Sequence, residues 1–117
     1  ELMRRGDVIR LDLGIPPGGS GHEQAGKRPA IVVSLADEDP NNPMITVVPT
    51  TGKIDKSRFP HTLEVDPSIQ NGLTTKSVLL TFQVVSYDTR RVIEVIGSLE
   101  SKYMYQLEQK LRQLMCL

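Results

Sequence analysis

The hydrophobic period changes once along this chain. Between Asp7 and Ile96, apolar residues alternate or gather in short β-branched runs broken by glycine and proline. Beyond Ser98 they recur at Met104, Leu107, Leu111 and Leu114. The first pattern is that of strands; the second, at i, i+3, i+7 and i+10, is one stripe of a helix. Strands followed by one helix predict a mainly β, α+β fold, in which the helix buries its stripe against a small curled sheet. Closing that sheet into a barrel removes exposed strand edges. The length of 117 residues suits a single domain over 1–117, large enough to hold a core without metals or disulfides. Met3 reads as the natural start, with Glu1 and Leu2 extraneous to it.

About five or six strands are expected. Asp7 to Leu13 alternates, with Ile9, Leu11 and Leu13 on one side and Val8, Arg10 and Asp12 on the other, which predicts a half-buried strand. Gly14 to Gly26 carries two prolines and five glycines, a composition that leaves only a long loop. Ala30 to Leu35 reads as a strand buried on both faces. Ile45 to Val48 reads as a strand closed by Pro49, and Thr50 to Pro60 as a polar loop. His61 to Val65 has Leu63 and Val65 inward; Asp66 to Gly72 is a turn. Ser77 to Ser86 reads as one long strand and Val92 to Ile96 as a short one. Ser98 or Ser101 is the expected helix N-cap, offering a hydroxyl to a free amide. The helix stripe serves either dimerisation or the core of its own chain, and Met115 and Leu117 suggest a packed tail around Cys116.

Fourteen basic and fourteen acidic residues cancel, which excludes a broad basic field but not a local basic patch. One cysteine, Cys116, excludes an internal disulfide framework and a multi-thiolate zinc site. His22 and His61 lie far apart without ligand-spaced partners, so no metal is expected. There is no G-x-S-x-G elbow, and Gly18-Gly19-Ser20-Gly21 lacks the Lys-Ser/Thr of a phosphate-binding loop. No apolar run approaches the ~18 residues of a membrane span. With no leader-like segment and no paired cysteine, a reducing cytoplasm is the expected location, without a membrane partner.

Two segments can carry chemistry. In His22-Glu23-Gln24-Ala25-Gly26-Lys27-Arg28-Pro29, the proline forces Arg28 into extended or turn geometry at the mouth of a buried strand. A guanidinium held there offers a planar fork to phosphate oxygens. The plainer alternative is a surface ion pair with Glu23. Thr50-Thr51-Gly52-Lys53 sets two hydroxyls and an ammonium at another strand end, suited to a phosphate or simply to a turn. Arg90-Arg91 reads as a solvated basic turn.

These pieces join others in a definite order: Arg5-Gly6-Asp7-Val8, Glu23 to Ala30, Val48-Pro49-Thr50-Thr51, Gly72-Leu73, Ser77-Val78, Gln83, and Ile96-Gly97-Ser98-Leu99. Together, over residues 4–116, the chain resembles the MazF/PemK (Kid) family of toxin endoribonucleases from bacterial toxin–antitoxin modules. The resemblance implies a small SH3-like barrel of the CcdB/PemK type with a C-terminal helix, working as a homodimer. It implies metal-independent cleavage of single-stranded RNA at short sequences, without a cofactor, and inhibition of growth. A cognate MazE/PemI-like antitoxin protein then blocks the groove. The family's catalytic Arg, Thr and loop Glu match Arg28, Thr51 and Glu23. Gln24, Lys27, Thr50, Lys53, Lys56 and Gln83 are the expected RNA-binding residues, with Arg58 beside them.

The chain also departs from the family. His22 stands where relatives commonly carry Ser; an acid–base role and a solvated loop position are both open. Phe82 and Val85 occupy places where relatives often carry charge, so Phe82 either stacks on a base or packs at a dimer interface. Two further readings stand beside the nuclease: a non-cleaving CcdB-like toxin that binds gyrase, and an inactive relative that only binds RNA or antitoxin.

Overall fold

The computed structural model describes residues 3–14, 27–34 and 43–117. Among the described residues, seven strands precede one helix: β1 (Asp7–Asp12), β2 (Lys27–Val32), β3 (Met44–Thr51), β4 (Thr62–Val65), β5 (Ser77–Leu80), β6 (Val85–Asp88), β7 (Val92–Ser98) and α1 (Ser101–Met115). The sheet runs β4-β5-β3-β2-β1-β7, with β6 also on β3, and every pairing is antiparallel. Among the described residues the ladder does not close, because β4 and β7 are its two ends. The expected barrel is therefore a strongly curled sheet rather than a closed ring.

The curl is organised by β3. Its first half pairs with β6, and Thr50 and Thr51 pair with β5. From Val47 to Thr50 the strand advances three residues, while its partner runs six, from Val85 back to Leu79, so three residues are looped out. They form the 3-10 turn Thr81–Gln83. This breaks the single long strand expected from Ser77 to Ser86. The expected stop at Pro49 also fails: β3 continues through it, since a proline removes one ladder donor only and β5 holds the two threonines beyond.

Two apolar clusters cover the sheet. One, under the helix, joins Val8, Ile31, Val33, Val48, Val65 and Leu79 to Tyr103 and Leu107. The other joins Ile9, Leu11, Ala30, Val32, Ile45 and Val47. β2 is thus buried on both faces as expected, whereas β1 is not half-buried: Val8 and Ile9 are both fully enclosed. Alternation in β1 marks two different cores, not a core and a solvent side. Leu63 and Val65 point inward as expected.

The helix stripe belongs to the core of its own chain. Leu107 is fully buried, Met104 and Leu111 pack against the same cluster, and Tyr103 adds a phenol that accepts the Asp66 N–H at 3.2 Å. Neither expected serine caps the helix. Ser98 ends β7, Ser101 is the first helical residue, and the N-cap is Glu100, whose side chain does not cap. That carboxylate is engaged elsewhere, by Ser68 Oγ at 2.7 Å and Asn71 Nδ2 at 3.0 Å. The tail is not packed: Met115 and Leu117 are 50% and 83% exposed, and Cys116 is exposed in a left-handed conformation that ends the helix.

The turn before β5 and the end of β7 interlock. Gly72 has φ +71°, and a Cβ there would sit 2.1 Å from the Ile96 carbonyl oxygen. A Cβ on Gly97 would sit 2.5 Å from the Gln70 oxygen. Glycine is required at both positions so that two backbones can approach. Asn71, fully buried between them, accepts from the Ser68 and Leu73 amides and donates to the Asp66 carbonyl and Glu100.

Candidate functional site

The start of β2 and the end of β3 bring their side chains together. Ala30 pairs with Pro49, which sets Arg28 and Thr51 on neighbouring strands where the pairing ends. Arg28 is itself held by β1, opposite Leu11. Thr50 Oγ1 donates to the Pro29 carbonyl at 3.0 Å and pins the two strands across their proline positions. Thr51, 6% exposed, accepts the Lys53 amide at 3.2 Å. That bond uses a lone pair and fixes the rotamer, so the hydroxyl proton remains available to an outside acceptor.

Arg28 and Thr51 line two adjoining depressions. The first, about 310 Å³, adds Lys53, Lys56 and Gln83 at its rim, Leu80 below, and the rings of Phe59 and Phe82. The second, about 350 Å³, adds Lys27, Thr50, Thr74, Thr75 and Ser77. Among the described residues, no carboxylate lines either one. Among the described residues, Arg28, Lys27, Lys53 and Lys56 form no ion pair, whereas Arg5, Arg10, Arg58, Lys76 and Arg90 all do. A chain of zero net charge therefore still sets four cations without ion pairs around one groove. A larger cavity of about 440 Å³, near the helix C-terminus, contains none of the residues expected to act on RNA.

The structure thus gathers Arg28, Thr51, Lys27, Thr50, Lys53, Lys56 and Gln83 at one site. Thr50 and Thr51 arrive on a strand rather than in the expected loop, and Lys56 arrives on a 3-10 turn, Ile54–Arg58. His22, Glu23 and Gln24 lie outside the described residues. Phe82, for which base stacking and dimer packing were both open, lines the groove. Phe59 was missed; its signal was an aromatic residue set among the cations of a polar loop. Arg90 is solvated as expected, with its side chain 90% exposed, and also binds Asp88, whose carboxyl is held below its usual range by hydrogen bonds from the Arg90 side chain and backbone. Among the described residues, no three His, Cys, Asp or Glu side chains group as metal ligands would.

Arg and Thr donors facing an anion-sized space, flanked by lysines, can hold a phosphodiester and stabilise added charge on it. Comparison with known proteins agrees in kind. Residues 4–115 match the family described as PemK-like, MazF-like toxin of type II toxin–antitoxin system. An endoribonuclease MazF from Staphylococcus saprophyticus is 34% identical over 106 residues, covering 91% of this chain and 85% of that protein. The crystal structure of MazF from Deinococcus radiodurans superposes with a TM-score of 0.77 at 22% identity, covering 100% of this chain and 99% of that one. A mycobacterial endoribonuclease in complex with its cognate antitoxin superposes at 0.71 with 19% identity, over 98% and 94% of the two chains. With a family match over nearly the whole sequence, the chain belongs to the PemK-like, MazF-like toxins of type II toxin–antitoxin systems.

Proposed function

We propose that this MazF-like toxin endoribonuclease cuts single-stranded RNA at the Arg28–Thr51 groove by ribose-assisted transesterification. The 2′-oxygen beside the scissile bond attacks phosphorus, the bond from phosphorus to the 5′-oxygen breaks, and a 2′,3′-cyclic phosphate forms. The 2′-hydroxyl proton passes to a base, and the departing 5′-oxygen takes a proton to leave as a hydroxyl. The substrate supplies its own nucleophile, so the protein needs to align it and to stabilise charge on the phosphoryl oxygens. Arg28 bears on those oxygens with a permanently charged fork, and Thr51 donates its free proton to the same phosphate. The observation that carries this reading is the pairing of these two donors in one groove, flanked by Lys53 and Lys56.

The described residues of that groove include no carboxylate or imidazole. The proton carriers are assigned to the segment that leads into Lys27 and Arg28: Glu23 as base for the 2′-hydroxyl, with His22 as a second acid–base group. Lys27, Thr50, Lys53, Lys56 and Gln83 hold neighbouring phosphates and bases, with Gln24 from the same segment. The toxin works as a homodimer, for which the exposed Ile93 and Val95 of the end strand β7 offer apolar surface. A cognate antitoxin covers the cationic groove and restrains growth inhibition, and the RNA is cytoplasmic mRNA. Among the described residues, no helix is long and apolar enough to cross a membrane.

The test is to map cut ends on a long RNA with chelator present, comparing wild type with Arg28→Ala. Cyclic phosphate and 5′-hydroxyl ends at recurrent short sequences, lost in the variant, support the reading. Intact RNA with correctly folded wild type refutes it.

A further inference from the structure

Phe82 should not face the same groove as Gln83. In a strand, consecutive side chains point to opposite faces, and Ser77 to Ser86 has the composition of a strand. The three looped-out residues Thr81–Gln83 break that alternation. Thr81 turns inward and is fully buried, while Phe82 and Gln83 both line the groove with Arg28 and Thr51. Phe82 is 39% exposed among cations, an environment that does nothing for a ring in folding terms.

Its neighbour Phe59 is occupied. Lys56 Nζ lies 5.5 Å and Arg58 Cζ 4.8 Å from the centre of that ring, as cation–π partners do. The two rings meet at 5.8 Å with their planes inclined by 54°, a tilted contact rather than a face-to-face stack. One aromatic is therefore braced by a second, which itself has two cations over its ring. The half-exposed ring lines the groove beside Arg28 and Thr51.

We infer that Phe82 is a stacking platform for one nucleobase of the RNA, next to the scissile phosphate, with Phe59 as its positioning wall. The inference rests on the proposed RNA cleavage and adds to it where one base is read. A flat apolar platform beside Arg28 and Lys56 suits single-stranded RNA, whose unstacked bases seek an aromatic face while its phosphates seek cations. Gln83, adjacent on the same turn, can hydrogen-bond the edge of the stacked base.

Two experiments test it. The first uses short RNAs spanning a mapped cut site, each lacking a single base but keeping its ribose. On intact RNA, Phe82→Leu should lower kcat/KM about tenfold, the scale of one base–aromatic stack, and Phe82→Tyr should remain near wild type. Removing one particular base beside the cut should erase the difference between wild type and Phe82→Leu. An unchanged Phe82→Leu, a Tyr variant as poor as the Leu variant, or a defect that persists whichever base is missing overturns the inference.

The second is independent of cleavage. The chain has no tryptophan, so Phe82→Trp places a sole indole fluorophore at the site. Binding of 2′-O-methyl oligonucleotides, which cannot be cut by their own ribose, should quench it, and an oligomer without bases should not. Fluorescence that follows protein dilution but ignores every oligonucleotide assigns Phe82 to subunit packing and overturns the platform. If wild type cuts nothing but the quenching is seen, the cleavage reading fails while the stacking site stands.

Discussion

The interlocked turn and the groove use polar residues in opposite ways. In the interlocked turn, Ser68, Asn71 and Glu100 bond one another, and two glycines let backbones touch. In the Arg28–Thr51 groove, the cations form no ion pair among the described residues and a hydroxyl keeps its proton. The first arrangement holds the helix to the sheet. The second leaves cations without an ion-pair partner among the described residues, as the proposed RNA site requires. Satisfied groups mark where this fold is held.

The comparison predicts a clean separation of effects. Arg28→Ala should lower kcat by about 10³-fold, the scale of losing a principal oxyanion donor, while leaving the melting temperature near wild type. Loss of folding in that variant would break the contrast. Gly97→Ala should do the reverse. Its new methyl meets backbone rather than a flexible side chain, and a destabilisation above about 3 kcal/mol is expected in urea titration. Asn71→Ala leaves two amides and two further partners without their bonds and should cost about 2–3 kcal/mol, again with the catalytic rate of the folded fraction unchanged.

Smaller effects sharpen the contrast. Lys53→Ala and Lys56→Ala should each reduce the slope of log affinity against log salt by about 0.7, as expected for one phosphate lost from a single strand. The slope would be unaltered if these ammonium groups faced only water. The smallest effect concerns pH. Burial pushes the Glu100 carboxyl up, but hydrogen bonds from Ser68, its own backbone and Asn71, with the Lys102 charge, outweigh burial and hold it below its usual value. A lowered folded-state value means the stabilisation is complete above the ordinary glutamate range and is lost as pH falls through the lowered one. Melting curves of wild type and Glu100→Gln should therefore converge on acidification. A gap that widens in acid would reverse the sign.

Local pattern carried much of this protein. Alternation and β-branched runs placed most strands, the change of period placed the helix, and Pro29 placed Arg28 in extended backbone at the start of β2. Those features are local because period and proline act on neighbouring residues. The misreadings came where a distant partner decided. Pro49 did not end its strand because β5 lies beyond it, and Val8 was not solvent-facing because a helix some ninety residues on covers it. The serine caps failed because Asn71 and Ser68 had already engaged Glu100.

The sequence by itself determined which residue types could meet a phosphate, since a guanidinium, hydroxyls and lysines at strand ends are covalent facts. Only the tertiary structure decided that they share one groove, that Phe59 and Phe82 stand there with them, and that no carboxylate neutralises them among the described residues. The reason is that charge cancels in a sum over the chain but not in space, where antiparallel pairing brings together residues more than twenty positions apart.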